Sequence, residues 1–570
     1  MPDLHPDQKI AGLVAPVFAL RGSEDLGIGD TAALEELGVW AASQGLRIVQ
    51  VLPINESGGD NSPYNVISSM ALDPVTIATT PSRLPDLTKT SFRQITADHD
   101  LGSLRTGTVD YAAVRALKRD LLTAAHARFD LQASAKRRKE FAAFIEKHRD
   151  WLEPYALYRS LIVLNGGSEV LHEWPARQRN LKKATAWFKS LKPAERNEIE
   201  ALNDFHRYVQ WVAYSQWRDV RARLAQLDVS IMGDIPVGVS IYSCDVWSEP
   251  DEFDLTRSSG APPEQTFQTD PFITQWGQNW GFPLYDWDAM ARNDYAWWRR
   301  RLRGMFETYD LVRVDHALGF YRIYSFPWRP EDNAKFLDLS PDEAKALTGG
   351  RLPGFVPFDD NTPAHREKNR QQGEQLFQLM LEETGEYRLV VEDLGTVPPY
   401  VRPSLIEMEI PGFKIPQWER HPDGKIILGN EYQRLSLACY ATHDHPPVRA
   451  FWTEWHEQSQ SSDPHTSGHA RWEMSELLRF ADRPDLLGQP YTPKIHEALL
   501  RGVMASNSWL CVPMITDLLG TDHRFNVPGA IGAENWTCRL PGTIAELSAD
   551  FASEFATLRK VLKATKRSPK

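Results

Sequence analysis

Three carboxylates each follow a short apolar run: Asp315 after residues 311–314, Glu392 after 389–391, and Asp444 after 437–442 with His443 between. Such a set can cut a glycosidic bond. One carboxylate attacks the anomeric carbon and a second protonates the leaving oxygen, and where configuration is retained the two stand roughly 5 to 5.5 Å apart. Arg313 lies two residues before Asp315, on the same face of an extended strand, and its positive charge can help keep Asp315 ionised, as a nucleophile must be. Glu392 has the opposite need, a proton held near neutral pH, which partial burial and a neighbouring negative charge favour. After the first step it can act as base toward an incoming hydroxyl. Asp444 is suited to accept hydrogen bonds from ring hydroxyls. His316 and His443, each beside a carboxylate, are suited to donate them.

Other chemistries fit less well. A single carboxylate after a strand is more often a helix cap or a structural ion pair, but three in ordered succession point to chemistry. His443-Asp444-His445 has ligand-like His-x-His spacing, yet no further His cluster completes a metal site. Asp315-His316 could be half of a Ser-His-Asp triad, but no G-x-S-x-G elbow accompanies it.

These residues need elements to hold them. Continuously apolar runs at 48–53, 229–233, 311–314, 389–391, 437–442 and 509–514 read as parallel strands buried on both faces. Past their ends come Asn55-Glu56, Asp234, Asp315, Glu392-Asp393, His443-Asp444 and Thr516-Asp517. Helical patterns intervene. Leu202, Phe205, Val209, Val212, Gln216, Val220, Leu224 and Leu227 mark one amphipathic face, and Asp30 can cap a second helix running through Leu34, Leu37 and Ala41. Strand, carboxylate and helix in repetition imply a parallel α/β fold with its site at the carboxyl ends of the strands, in a barrel or a doubly wound sheet. No glycine-rich phosphate loop is present, which favours the barrel. The helical, charge-rich stretch 82–202 reads as a subdomain inserted in it, with Lys136-Arg137-Arg138-Lys139 as a solvated face and 458–468 as a mobile loop.

The bulk composition sets limits. At 570 residues, 42% hydrophobic and 25% charged, the chain can bury a large core, and a net charge of −12 disfavours a nucleic-acid partner. Four scattered cysteines give neither a zinc pair nor a disulfide framework. No apolar run approaches the roughly 20 residues a bilayer needs, and Met1-Pro2-Asp3-Leu4-His5-Pro6 lacks a signal-peptide layout, so a cytoplasmic location is expected. Nineteen tryptophans, many beside Gly, Pro or Asp, suggest aromatic platforms for the C–H faces of sugars, although core packing is the commoner use of a Trp.

The sequence resembles the 4-α-glucanotransferase, or amylomaltase, family of the α-amylase clan. The motifs follow in order from Leu20-Arg21 and Gly27-Ile28-Gly29-Asp30 through Ser62-Pro63-Tyr64, Gly233-Asp234-Ile235-Pro236 and Gly260-Ala261-Pro262-Pro263. Gln278-Asn279-Trp280-Gly281 comes next, then Arg313-Val314-Asp315-His316, Glu392-Asp393-Leu394-Gly395, Thr442-His443-Asp444, Asn526-Val527-Pro528-Gly529 and Asn535-Trp536. The resemblance covers roughly residues 10 to 540. It implies a (β/α)8 TIM barrel with inserted, mainly helical subdomains, forming a single catalytic domain over 1–570. It also implies transfer of α-1,4-glucan segments to an acceptor glucose or maltooligosaccharide, with Asp315 as nucleophile, Glu392 as acid/base and Asp444 as third carboxylate. Tyr64, Asp234, Arg313, His316, His443 and Asn526 would bind the donor sugar and Trp280 would face the acceptor. No cofactor or metal is implied. Three departures bear on the groove: a longer 264–276 connection, His445 after the third Asp, and the 412–418 stretch. Hydrolysis of the same glucans, and a catalytically silent glucan-binding protein, are the competing functions. Both reactive carboxylates are present, which speaks against the silent form.

Overall fold

The computed structural model describes residues 4–263, 270–528 and 535–568. Met1-Pro2-Asp3 of the N-terminal motif, residues 264–269 of the 264–276 connection and Gly529 of the Asn526 motif lie outside them. Eight parallel strands close into a barrel, each hydrogen-bonded to its neighbours in the chain: β1 (Ile10–Val14), β2 (Ile48–Gln50), β3 (Ser230–Ile235), β4 (Leu311–Val314), β5 (Leu389–Val391), β6 (Gly412–Lys414), β7 (Ser436–Ala438) and β8 (Leu510–Cys511). The six apolar runs are six of these strands. The sequence reading passed over β1 and β6. β1 ends at Ala15-Pro16 with no carboxylate, and β6 holds one large apolar residue, Phe413, between a glycine and a lysine, so it forms no apolar run.

Helices ring the barrel. Asp30 caps Thr31–Gln44, its Oδ1 accepting the backbone N–H groups of Ala32 and Ala33 at 3.0 and 3.2 Å. Its other oxygen stands 3.6 Å from the ammonium of Lys118, which is also buried and donates to the carbonyls of Val75 and Ile77. Replacing Asp30 by Ala would remove the cap and leave an ammonium buried without its counter-charge, a loss of roughly 3 to 5 kcal/mol by the cost of breaking a buried pair. Thermal unfolding should show a clear fall for Asp30→Ala. Asp30→Asn, which keeps an acceptor for the cap, should lose less.

Between β2 and β3 the chain runs through Lys89–Ala97, Tyr111–Gln132, Ala135–Lys147, Arg149–Leu164, Leu181–Ser190 and the 33-residue helix Pro193–Ala225. Phe129, Phe141, Tyr208 and Trp211 pack edge-on and tilted at 5.2 to 6.4 Å and knit three of these helices together. The basic run is not wholly solvated, as the sequence suggested. Arg137 pairs with Asp86 and lies 4.8 Å above the Trp211 ring, because its long aliphatic stem reaches the aromatic cluster. The 458–468 stretch is likewise no long loop. Helix Val448–Gln458 gives way within five residues to Pro464–Phe480, which Asp463 caps, so the polar composition reflects two helix ends.

Excursions after β3 and β4 pair into an antiparallel sheet in the order Gly354–Val356, Ile323–Phe326, Ser258–Ala261, Gln278–Asn279. It has its own small core of Trp276, Phe326, Trp328 and Phe336. Between β6 and β7 the described residues contain no α-helix. The chain instead makes a turn closed by an Arg420–Ile426 bridge, held by helix Pro464–Phe480 through the Ile426 N–H on Glu476. No described helix is long and apolar enough to cross a membrane.

Candidate active site

Register explains the centre of the site. β3 and β4 pair with Asp234 opposite Arg313, and β4 and β5 with Val314 opposite Val391. The ladder continues one step past the strands, with Asp315 N donating to the Ile235 carbonyl and Glu392 N to that of Val314, both at 3.0 Å. Asp315 and Glu392 therefore leave adjacent strand ends side by side, and neighbouring strands lie about 4.8 Å apart.

One buried guanidinium organises them. Arg313 Nη1 grips both oxygens of Asp234 at 2.7 and 2.6 Å, while Nη2 donates to Asp315 at 3.0 Å and Glu392 at 2.9 Å. A single nitrogen touching both carboxylates keeps those two oxygens within about 6 Å, the scale a retaining pair requires. The Tyr64 hydroxyl donates to Asp234 at 2.7 Å, and its ring stacks on His443 with centroids 5.0 Å apart. Asp444 closes the far side. It accepts Asn526 Nδ2 at 2.6 Å and faces His443 Nε2 at 3.2 Å. Trp280, carried past the strand Gln278–Asn279, meets His316 edge-on at 4.9 Å. All ten residues singled out in the sequence thus gather in one place.

His316 has a φ of 45°, in the left-handed region that costs a non-glycine residue energy. That turn aims its N–H at Glu392 Oε2, 2.9 Å away. Strain of this kind persists only where the surroundings enforce it, and here it supplies a hydrogen bond to a candidate acid/base.

Proton affinities divide differently from the sequence-based expectation. Burial pushes the Asp315 carboxyl well up, with Arg313 opposing and Glu392 adding to the rise. Burial also acts to raise Glu392, but Arg313 and the His316 N–H outweigh it and bring this carboxyl below its usual value. The two groups share one site, and the pair holds its proton more readily on Asp315. Asp444 is buried too, yet His443 and Asn526 overcome that and hold it well below the usual carboxylate range. Burial lowers His445 to about 4. Its Nδ1 stands 2.8 Å from Thr442 Oγ1 and its ring meets Trp418 edge-on at 4.6 Å.

Arg524 escaped the sequence reading, and Trp536 entered it only within the Asn535-Trp536 motif, with no role given. Arg524 holds the carbonyls of Asp444 and Asn526 at 2.8 Å each, and Trp536 lies tilted beside Tyr64 and His443 at 6.0 and 5.9 Å. Arg524 stands two residues before Asn526, a spacing that could have drawn attention to it.

Three strand-end acids do not join the site, the first being Asp393, which accepts the Phe413 N–H at 2.7 Å and pairs with Arg402. Glu56 is buried against Tyr155 and Arg159. Asp517 caps helix Val448–Gln458 through the Val448 N–H at 2.8 Å. Burial pushes Asp517 up to about 7. A carboxyl with a folded pKa above its unfolded value binds protons more tightly when folded, so between about pH 4 and 7 it withdraws stability as pH rises. Asp517→Asn should therefore raise the melting temperature at pH 8, with the gain fading as pH falls through about 7.

A family model described as 4-alpha-glucanotransferase matches residues 15–545. Among curated proteins, the 4-alpha-glucanotransferase of Chlamydia caviae is 28% identical over 552 residues, covering 94% of this chain and 91% of its own. That of Thermus thermophilus is 29% identical over 569 residues, covering 98% of each. Among solved structures, the amylomaltase of Streptococcus agalactiae in complex with acarbose superposes with a TM-score of 0.75 at 22% identity, covering 99% of this chain and 100% of that one. The amylomaltase of Corynebacterium glutamicum gives 0.76 at 21% identity, covering 99% and 76%. These two share the barrel fold. With the family model spanning nearly the whole chain, the protein belongs to the 4-alpha-glucanotransferase family.

Proposed function

We propose that this protein transfers α-1,4-glucan segments to the 4-hydroxyl of an acceptor glucose or maltooligosaccharide by double displacement with retention. The bridging of Asp315 and Glu392 by one Arg313 nitrogen carries the reading, because it keeps the two carboxylates close enough for one to attack the anomeric carbon while the other protonates the leaving oxygen. Asp315 attacks the anomeric carbon while Glu392 protonates the leaving oxygen, giving a glycosyl-Asp315 ester and a shortened glucan. Glu392, now a carboxylate, takes the proton of the acceptor hydroxyl as that oxygen displaces Asp315. For the first step the pair's single proton has to stand on Glu392. Positive charge developing on the sugar ring beside Asp315 favours that arrangement.

Tyr64, Asp234, Arg313, His316, His443, Asp444 and Asn526 bind the donor sugar. Asp444, kept anionic, accepts from its hydroxyls, and Trp280 offers an apolar face to the acceptor. The barrel of 1–570, with the helical subdomain 82–202 inserted, works as one catalytic domain. A cytoplasmic setting agrees with four free thiols, three of them buried.

Incubation with maltotriose tests the reading. Longer maltooligosaccharides plus glucose at constant reducing ends are expected. Rising reducing ends without longer products would make the protein a hydrolase.

A further inference from the structure

Of the nineteen tryptophans, only Trp418 and Trp472 are exposed among the described residues, at 51% and 40%. They come from different elements, the β6–β7 connection and helix Pro464–Phe480, yet both border the same turn. Arg420 ties the turn to Trp472. It donates to the carbonyls of Gln417 and Gly424 at 2.8 Å each, pairs with Glu473 at 2.5 Å, and sets its guanidinium 4.9 Å from the Trp472 ring centre. Gly424, at φ 85°, lets the turn pass close to the Trp472 edge, where even a Cβ would sit 3.4 Å from the ring. At the inner end Trp418 touches His445, the residue after Asp444. Trp418 thus borders the catalytic floor through His445, and Arg420, two residues further on, joins the same turn to Trp472.

We infer that Trp472, continuing from Trp418, is a glucan-binding platform outside the catalytic groove that holds long α-1,4-glucans. The inference rests on the reading of the groove as an α-glucan site and names the length of substrate it serves. Keeping two large indoles in water forgoes a favourable burial, whereas thirteen of the other seventeen tryptophans are buried. Indole faces stack on the C–H faces of sugars, and Arg420 and Glu473 neutralise each other, so the surface offers no net charge to select an ion. The turn is already fixed by Arg420, and little ordering entropy is lost when a chain settles on it. A donor of two or three glucose units is confined to the groove and does not reach Trp472. A chain with many units extends over it.

The test is Trp472→Ala in the full-length protein, with amylose and maltotriose as substrates. KM for amylose is expected to rise about five- to tenfold at unchanged kcat, the size of one aromatic contact, while maltotriose kinetics stay at wild-type values. Trp472→Phe should recover most of the loss. Mobility in native gels containing amylose gives a reading without turnover: the wild type should be retarded and Trp472→Ala released. Equal losses on both substrates, or amylose kinetics and mobility unchanged, would overturn the platform. Failure of the glucanotransferase reading would show separately, as a wild-type protein unable to disproportionate maltotriose.

Discussion

Asp315→Asn should abolish transfer, lowering kcat on maltotriose by about 10⁴-fold or more, since an amide of the same shape cannot form the glycosyl ester. Asn keeps an oxygen for Arg313 Nη2, and Arg313 retains Asp234 and Glu392 as charge partners, so the fold and the groove should survive. Binding of maltotriose by calorimetry should stay near that of the wild type. Turnover within tenfold of the wild type would remove Asp315 from the nucleophile's role, and a collapse of both binding and melting temperature would make it structural.

Glu392→Gln should separate the two chemical steps. Natural glucans need a proton on the departing oxygen, and kcat on maltotriose should fall by about 10²- to 10⁴-fold, the scale of general acid catalysis. A maltosyl fluoride donor leaves as fluoride and needs far less protonation, so its first step should proceed. The second step then lacks its base. The glycosyl-enzyme should accumulate and be visible by mass spectrometry on the peptide carrying Asp315. The pH profile should move as well. Glu392 is one of the groups raising Asp315, and without its charge the nucleophile should ionise at lower pH, shifting the acidic limb downward. Equal impairment with fluoride and glucan donors, with no trapped intermediate, would assign Glu392 to another task.

The parts of the fold legible in the sequence are those where local pattern and chemistry coincide. A strand buried on both faces writes itself as an uninterrupted apolar run, and a barrel places a polar residue at its end, so Leu311–Val314 followed by Asp315 carried both messages at once. β6 carried neither, because Gly412 and Lys414 flank its one large apolar residue and no acid follows directly. Glu56 and Asp517 resemble catalytic acids in one dimension and serve as an ion-pair partner and a cap in three. Arg524 works by gripping main-chain carbonyls, a contact that leaves no trace in residue type. The division of the proton between Asp315 and Glu392 was equally hidden. It depends on burial, on where the Arg313 guanidinium falls between them, and on the left-handed turn at His316 that aims one N–H at Glu392.

The backbone ladder that runs past β4 and β5 into Asp315 and Glu392 also sets how this protein fails. The two carboxylates proposed as the reacting pair hang on the staves themselves, and they can lose their alignment only as the strands part. Asp444 and Asn526 are held through side chains and through Arg524, on connections that open more cheaply. On warming, grip on the sugar should therefore slacken before the reacting pair comes apart. Heat would first make a poor binder with sound chemistry, and then, in one cooperative event, no enzyme at all.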